Sequence, residues 1–571
     1  MKKVFLFILL SLLPTASFTK GRFAYDFENH IADSSAVIPL PTRQQLHWQQ
    51  KELMMFISFD PATWQGREYD NHSMPLDRIN PRQLNTDQWC ETAKSWGART
   101  ILFVAKHTGG FCWWDTQTSD YGVRNTPFKR DVLKELSASC RKYGLELGIY
   151  VYPGDDQWGA GIGSGGITKD PSKQEAYNKV YRQQLTEVLS NYGAVCEVWF
   201  DGSCKIFVND ILEKYAANAV YFQGEMASIR WVGNEDGIAP YPNWYTSTTN
   251  QSTALTCDAY GSVYAPVECD VPFLKHGGHK WFWAPNTDHM ILSVDELMNL
   301  YYKSAGRGAV MLLNSTPDTT GLIPQSHVTR YREFGEEIRR RFGKPLKRTK
   351  GKGTSLILNL KRPTEFNHVV LQEDLKYGQR VLEYVIEVAD VDGAWRQIAK
   401  GASIGQKRIE VFQPVTARRV RVLITDSKAT PQLMNFAVYN AQSACDAQSG
   451  ATSEQTFTVG SWNKDTYSDS EATDVTIDLT PFVTNIGQYE LTFKPIAWEH
   501  LQDVPASITL SDARLEMYGQ DRTADLQQVD GSTFRITRSQ QTLDEFKTVL
   551  HLSVRKNGKS TGVIEISRIT Y

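Results

Sequence analysis

The residues with most chemical promise lie where apolar runs stop. Val195 to Phe200 is β-prone apart from Glu197 and ends in Asp201-Gly202. A strand that delivers a carboxylate at its C-terminal end, beside a glycine that lets another group approach closely, is a way to build a catalytic carboxylate. Asp-Gly also serves as a turn or a helix cap, so the neighbouring strand ends decide between the two. They are chemically loaded. Thr100 to Ala105 runs into Lys106-His107-Thr108-Gly109-Gly110-Phe111-Cys112-Trp113-Trp114-Asp115, and Leu145 to Val151 runs into Tyr152-Pro153-Gly154-Asp155-Asp156. Trp281-Phe282-Trp283 precedes a helix at Val294. Singly, each aromatic cluster reads as core packing. Together on one rim they read as a cleft that stacks against rings.

The elements that position these residues repeat. Trp89, Ala93 and Trp96 share a helix face, Gly97 ends it, and the strand from Thr100 follows. Val132, Leu133, Leu136, Cys140 and Tyr143 share the next, Gly144 ends it, and Leu145 to Val151 follows. Tyr177, Tyr181, Leu185, Val188 and Tyr192 form a third face, Gly193 ends it, and Val195 to Phe200 follows. Alternating helices and strands predict parallel strands joined by right-handed crossovers. Ala219 to Phe222, helix Val294 to Ser304, strand Val310 to Leu313 and helix Pro324 to Arg341 extend the series. The expected fold is a (β/α)8-type barrel within residues 22–345. A doubly wound sheet is the alternative, but no glycine-rich dinucleotide fingerprint follows the first strand and no phosphate-binding P-loop occurs.

After Arg341 the helical period disappears. Short alternating strands (Leu356 to Leu360, Tyr384 to Val388, Ile409 to Phe412, Val420 to Ile424) predict a β-sandwich over residues 346–441. Asn440 to Gln455 reads as a linker. A second all-β sandwich is expected over 456–571, with strands at Val475 to Leu479, Tyr489 to Phe493, Ile508 to Leu510 and Val549 to Val554.

Composition limits the partners. At 571 residues the chain exceeds a single core. A net charge of −2 with both signs interspersed argues against nucleic acid and a polybasic membrane surface. With 15 Trp, 25 Tyr and 25 Phe, the chain suits stacking on sugar rings, although large β-rich cores use aromatics at this level too. Met1-Lys2-Lys3, an apolar run from Val4 to Leu13 and Thr15-Ala16-Ser17 read as a signal peptide over residues 1–17. The mature protein is expected to be exported, periplasmic or extracellular, without membrane insertion. Of the eight cysteines, most read as buried thiols; Cys257 and Cys269 are the pair to check for a disulfide. No C-x-x-C occurs, and His276-Gly277-Gly278-His279 is too glycine-rich to hold ligands on one helical face, so neither metal nor other cofactor is expected.

The residues resemble glycoside hydrolase family 29, the retaining α-L-fucosidases, in the branch with a discoidin-like sandwich after the barrel. The resemblance covers roughly residues 41–439. It rests on Trp48-Gln49, Ala105-Lys106-His107 with Gly110-Phe111-Cys112, Cys140 to Leu145, Glu197 to Gly202, Arg230-Trp231-Val232-Gly233-Asn234-Glu235 and Glu268-Cys269-Asp270-Val271. Trp281-Phe282-Trp283, Leu312-Leu313-Asn314, Val370 to Asp374 and Gly378-Gln379-Arg380 also match. The resemblance implies Asp201 as nucleophile and Glu235 as general acid/base, the two-carboxylate chemistry of retaining glycosidases. Glu225, also just ahead of Arg230-Trp231, is the rival acid. His107, Trp199, the pair Glu68-Tyr69, and Trp283 are the implied substrate-binding residues, with a glycan or oligosaccharide as partner.

The chain departs from the family pattern at the sugar. Ser58 in Ile57-Ser58-Phe59-Asp60 stands where a histidine is usual, Thr108 replaces the second of two histidines, and Gly154 stands where tryptophan is common. Terminal α-L-fucosyl residues are the expected substrate. A related sugar such as an α-L-galactoside, or a non-catalytic glycan-binding role, are the alternatives. Oligomeric state is not readable from these features.

Overall fold

The computed structural model describes residues 38–570 apart from 249–256, 275–279, 390–392 and 442–455, and apart from 463–466, 468–470, 481, 484–486, 498–506, 518–519, 539–547 and 558–559 in the last domain. The signal-peptide reading, most of the linker and the His276–His279 pair fall outside the described residues.

Eight strands form one parallel sheet: β1 (Leu53–Ile57), β2 (Thr100–Lys106), β3 (Glu146–Val151), β4 (Glu197–Trp199), β5 (Val220–Phe222), β6 (Arg230–Trp231), β7 (Val267–Val271) and β8 (Val310–Ser315). Their order is β5-β4-β3-β2-β1-β8-β7-β6. A parallel bridge between Phe222 and Ile229 brings β5 to the foot of β6, so the sheet nearly closes on itself. Side chains alternate between two dry compartments, as strands covered on both faces require. Met54, Phe56, Leu102, Val104, Trp199 and Leu312 fill the interior together with Trp48. Met55, Ile57, Ile101, Phe103 and Val198 pack outward against the helices.

Those helices start and stop where the sequence says they should. Before β2, Thr86–Trp96 is capped by the Asn85 side chain, which accepts from Asp87 N and Gln88 N, and Gly97 takes the left-handed φ of 100° that ends it. Val132–Tyr143 is capped by Asp131 and ended by Gly144 at φ 67°. Gln174–Ser190, Asn209–Tyr215, Val294–Lys303 and Gln325–Phe342 complete the outer layer.

The repeat fails in one quarter of the barrel. β5 and β6 are joined by residues 223–229 with no helix, and the described residues between β6 and β7, 232–248 and 257–266, are irregular apart from a small pairing of Thr246–Ser247 with Val263–Tyr264. This segment lacks a 3.6-residue apolar period; its tyrosines and asparagine bond the following domain instead. Tyr245 N donates to Gln379 Oε1 at 2.8 Å, Gln379 Nε2 donates to Asn243 O at 3.0 Å, and Gln406 N donates to Tyr245 Oη at 2.9 Å. Buried Arg408 lies 3.9 Å from the centre of the Tyr241 ring.

The following domain is one six-stranded antiparallel sheet folded over its own core by two long strands, Ser355–Glu373 and Arg408–Ser427. Register shifts between Asn359 and Thr364 and between Phe366 and His368 mark where the pair bends. Of the short strands expected here, Leu356 to Leu360, Ile409 to Phe412 and Val420 to Ile424 are parts of these two, and Tyr384 to Val388 lies within a separate strand, Val381–Ala389. The last domain packs a five-stranded and a four-stranded sheet around Trp462, Leu491, Phe493, Ile536, Leu550 and Ile564. Barrel followed by β-sandwiches is the architecture observed.

Cys257 and Cys269 are both free thiols, one half-buried and one in β7, so they form no disulfide. Trp113 and Trp114 are fully buried away from the rim. The Trp113 ring stacks on Phe59 at 4.5 Å and its Nε1 donates to Phe59 O. Their cluster is core, as the plain packing account has it.

Candidate active site

A cleft of about 400 Å³ opens at the C-terminal ends of the barrel strands. Each neighbouring strand end or following loop contributes to it: Ser58, Glu68 and Tyr69 after β1, His107 and Thr108 after β2, Tyr152 and Ile162 after β3, and Asp201 after β4. Gln223 follows β5, Glu235 follows β6, and Asp270, Trp281 and Phe282 come from β7 and its loop.

The floor is aromatic. Trp199 points into the barrel, stacks on Phe222 at 4.1 Å with 4° between planes, and meets Tyr150 at 5.3 Å. Its indole N–H donates at 2.8 Å to Glu268 Oε1, and the Trp48 indole donates at 2.8 Å to Glu197 Oε2. Glu197 and Glu268 are fully buried, each accepts one indole N–H, and each perturbs the ionisation of the other. Burial pushes the Glu197 carboxyl up to about 7 and, together with the neighbouring Glu197, pushes Glu268 well above the ordinary range. Two carboxyls in contact without solvent do not both ionise, so the pair carries a proton at neutral pH.

Asp201 stands two residues beyond Trp199 on the same side of the chain. Tyr150 Oη donates to its Oδ2 at 2.9 Å, and Gly202 follows at a left-handed φ of 71°. Across the cleft, Trp281 fixes three groups. Its indole N–H donates to Glu235 Oε2 at 3.0 Å, its backbone N–H donates to Glu68 Oε2 at 2.8 Å, and its carbonyl accepts from Asn314 Nδ2 at 2.8 Å. Asn314 is held in turn by the Ser58 hydroxyl, which donates to Oδ1 at 2.7 Å. Trp231 Nε1 donates to Asp270 Oδ1 at 2.7 Å on the adjoining wall. His107 is walled in by Phe282 (5.0 Å) and by Tyr69 (5.9 Å, 11° between planes). Burial lowers its pKa to about 4, so at neutral pH the ring is uncharged and offers one N–H and one lone pair.

The loop bearing His107 is possible because it contains glycines. A Cβ on Gly109 would sit 2.4 Å from Asp70 Oδ2, and one on Gly110 2.5 Å from Asp155 Oδ1. These two buried carboxylates brace the loop from behind, with Asp70 accepting from Tyr121 Oη at 2.6 Å and Asp155 lying 3.8 Å from buried Lys106.

Of the residues expected to form the site, Asp201, Glu235, His107, Trp199, Glu68 and Tyr69 all border this one cleft. Trp283 does not; the flanking Trp281 and Phe282 take that wall. Strand-like alternation along Trp281-Phe282-Trp283 does not predict this outcome, because the chain bends at Phe282 and turns the first two rings into the cleft. Glu225 is exposed on the short β5–β6 connection, outside the cleft. Gly154 leaves no room for a larger residue: a Cβ there would lie 2.4 Å from Ala160 O. Asp270, Tyr150 and Gln223 went unpredicted as cleft residues, although the Glu268-Cys269-Asp270 alternation places both acids on one side of β7. Among the described residues no cluster of His, Cys, Asp and Glu is arranged to hold a metal ion.

A family model described as Alpha-L-fucosidase matches residues 43–341, which spans the barrel from its first helix to its last. The chain belongs to the α-L-fucosidase family. It is therefore a glycoside hydrolase. Among curated relatives, Alpha-L-fucosidase 1 of Arabidopsis thaliana is 28% identical over 456 residues, covering 70% of this chain and 87% of the relative. A crystal structure of a putative α-L-fucosidase from Bacteroides thetaiotaomicron matches with TM-score 0.66 and 32% identity, covering 71% of this chain and 99% of that one. One from Bacteroides ovatus matches with TM-score 0.63 and 27% identity over 89% of this chain and 92% of its own. In this α-L-fucosidase family member, the matched residues enclose every cleft residue named above.

Proposed function

We propose that this chain is an exported retaining α-L-fucosidase that releases terminal α-L-fucosyl residues from glycans. Asp201 is the nucleophile and Glu235 the general acid/base. The observation that carries this reading is that carboxylates from β4 and from the loop after β6 share one aromatic-walled cleft. Ionised Asp201, oriented by the Tyr150 hydroxyl, attacks the anomeric carbon and forms a glycosyl-enzyme. Glu235, steered by the Trp281 indole, protonates the departing oxygen and then takes a proton from the water that releases the sugar. Neutral His107 exchanges hydrogen bonds with sugar hydroxyls, and Glu68 accepts one. The Trp199 face and its stacked partners hold the apolar side of the ring. The basic-apolar-small pattern of residues 1–17 supports export.

The test is turnover of aryl α-L-fucoside beside the matching α-L-galactoside and β-D-galactoside. Preference for the fucoside with overall retention of configuration is expected; no turnover with sugar binding intact would refute the enzymatic reading. A second reading, an α-L-galactosidase, is favoured by Ser58. Its hydroxyl is engaged by Asn314, and its short side chain replaces a bulkier ring at the cleft. N-terminal sequencing of protein from the periplasm or medium tests export.

A further inference from the structure

The short connection between β5 and β6 carries a residue that no part of this mechanism uses. Gln223 follows Phe222, whose ring stacks on Trp199, and it lines the cleft. Its backbone sits at φ 61°, in the left-handed region that a residue with a Cβ seldom enters and that glycine takes freely. Its side-chain oxygen is shielded from solvent and accepts no hydrogen bond among the described residues. A strained backbone and an unmade hydrogen bond in one residue both oppose folding, and such residues persist where function holds them.

Its position says what the function is. Across the parallel ladder Trp199 pairs with Phe222, and Phe200 N donates to Phe222 O at 3.0 Å. The next step on each strand is Asp201's neighbourhood on one side and Gln223 on the other. On its far side the bridge from Phe222 to Ile229 leads into β6 and on to Glu235. Gln223 therefore stands on the rim between the strand that presents one carboxylate and the strand that presents the other. In a retaining glycosidase the scissile bond lies between those two groups.

We propose that Gln223 is a substrate-contacting residue whose carboxamide oxygen accepts a hydroxyl hydrogen of the glycan beside the scissile bond. This rests on the fucosidase reading above. Rotation about the last side-chain torsion, which is broad and low in cost, turns the oxygen from its shielded place into the cleft. The acceptor that is unpaired in the free enzyme is then paired in the complex. The hydroxyl belongs either to the fucosyl ring or to the first sugar of the leaving group. Both offer the same chemistry.

The experiment compares wild type with Gln223→Gly and Gln223→Asn on an aryl α-L-fucoside and on a fucosylated oligosaccharide, with thermal unfolding measured in parallel. Glycine removes the strain and the orphaned acceptor; asparagine tolerates the left-handed backbone but shortens the reach. Both variants should keep or raise the melting temperature while kcat/KM falls roughly threefold to tenfold, the worth of one neutral hydrogen bond. Loss on both substrates assigns the fucosyl hydroxyl, and loss on the oligosaccharide alone assigns the leaving sugar. A purely structural role predicts the opposite pattern, lower melting temperature with unchanged kinetics, and would overturn the inference. So would unchanged kcat/KM with both substrates. Wild-type protein that turns over neither substrate would instead refute the fucosidase reading, and in that case an oligosaccharide affinity by calorimetry that Gln223→Gly leaves unchanged overturns this inference as well.

Discussion

Replacing Glu268 separates what the buried carboxyl pair does for stability from what it does for the cleft. In Glu268→Ala the Trp199 indole loses its acceptor at 2.8 Å inside a dry barrel. An orphaned buried donor costs about 1–3 kcal/mol, and the vacated space adds to that. Glu268→Gln behaves differently, because its amide oxygen still accepts from Trp199 and its N–H donates to Glu197. The pH dependence separates the two further. An ordinary glutamate titrates near 4.3 in the unfolded chain, whereas Glu197 titrates at about 7 in the fold. Between those values the folded protein holds a proton that the unfolded chain has released. Stability therefore falls as pH rises through this window, by on the order of 3–4 kcal/mol. Glutamine at 268 removes the shared proton. Thermal unfolding from pH 5 to pH 8 should then show wild type losing several degrees more than Glu268→Gln, with Glu268→Ala lowest at pH 5. Parallel pH profiles for wild type and Glu268→Gln would refute the shared proton. Glu268→Ala with wild-type stability would refute the role given to the Trp199 bond.

Other outcomes follow from the same geometry. Asn314→Ala frees the Trp281 carbonyl and the Ser58 hydroxyl, so kcat should fall about tenfold or more as Glu235 and Glu68 lose their shared anchor, measured on an aryl fucoside. Gly109→Ala places a Cβ 2.4 Å from Asp70 Oδ2 and should destabilise the protein by about 2 kcal/mol or more while raising KM, because His107 shifts with its loop. Trp283→Ala and Glu225→Ala, outside the cleft, should leave KM near wild type, whereas Glu235→Ala should be crippled and partly rescued by azide on an activated substrate. His107 is neutral in the fold down to about pH 4, below its unfolded value. Its contribution to stability is present above about pH 6.5 and is lost as pH falls toward 4, and His107→Gln should flatten that acid limb.

The repeat of amphipathic helix, capping residue, glycine and apolar strand made half the barrel readable, because Asn85, Asp131, Gly97 and Gly144 act locally and leave their mark in the chain. The β5–β7 quarter was not readable in that way. β6 is two residues long, and Asn243 and Tyr245 beyond it are held by bonds to Gln379 and Gln406, more than a hundred residues away. The site divides along the same line. Asp201 and Trp199 follow from strand alternation, while Trp281 gains its importance from contacts with Glu68, Glu235 and Asn314 that sequence spacing does not reveal. Trp113 and Trp114 looked like rim residues because they follow a strand end, but their loop folds back under Phe59.

The most direct measurement is to trap the glycosyl-enzyme. Incubation with a 2-deoxy-2-fluoro-α-L-fucosyl donor bearing an activated leaving group, followed by peptide mass spectrometry, should place one fluorofucosyl adduct on Asp201 and none on Asp201→Asn. An adduct on another carboxylate, or turnover of aryl α-L-fucoside with inversion and no adduct, would contradict the account.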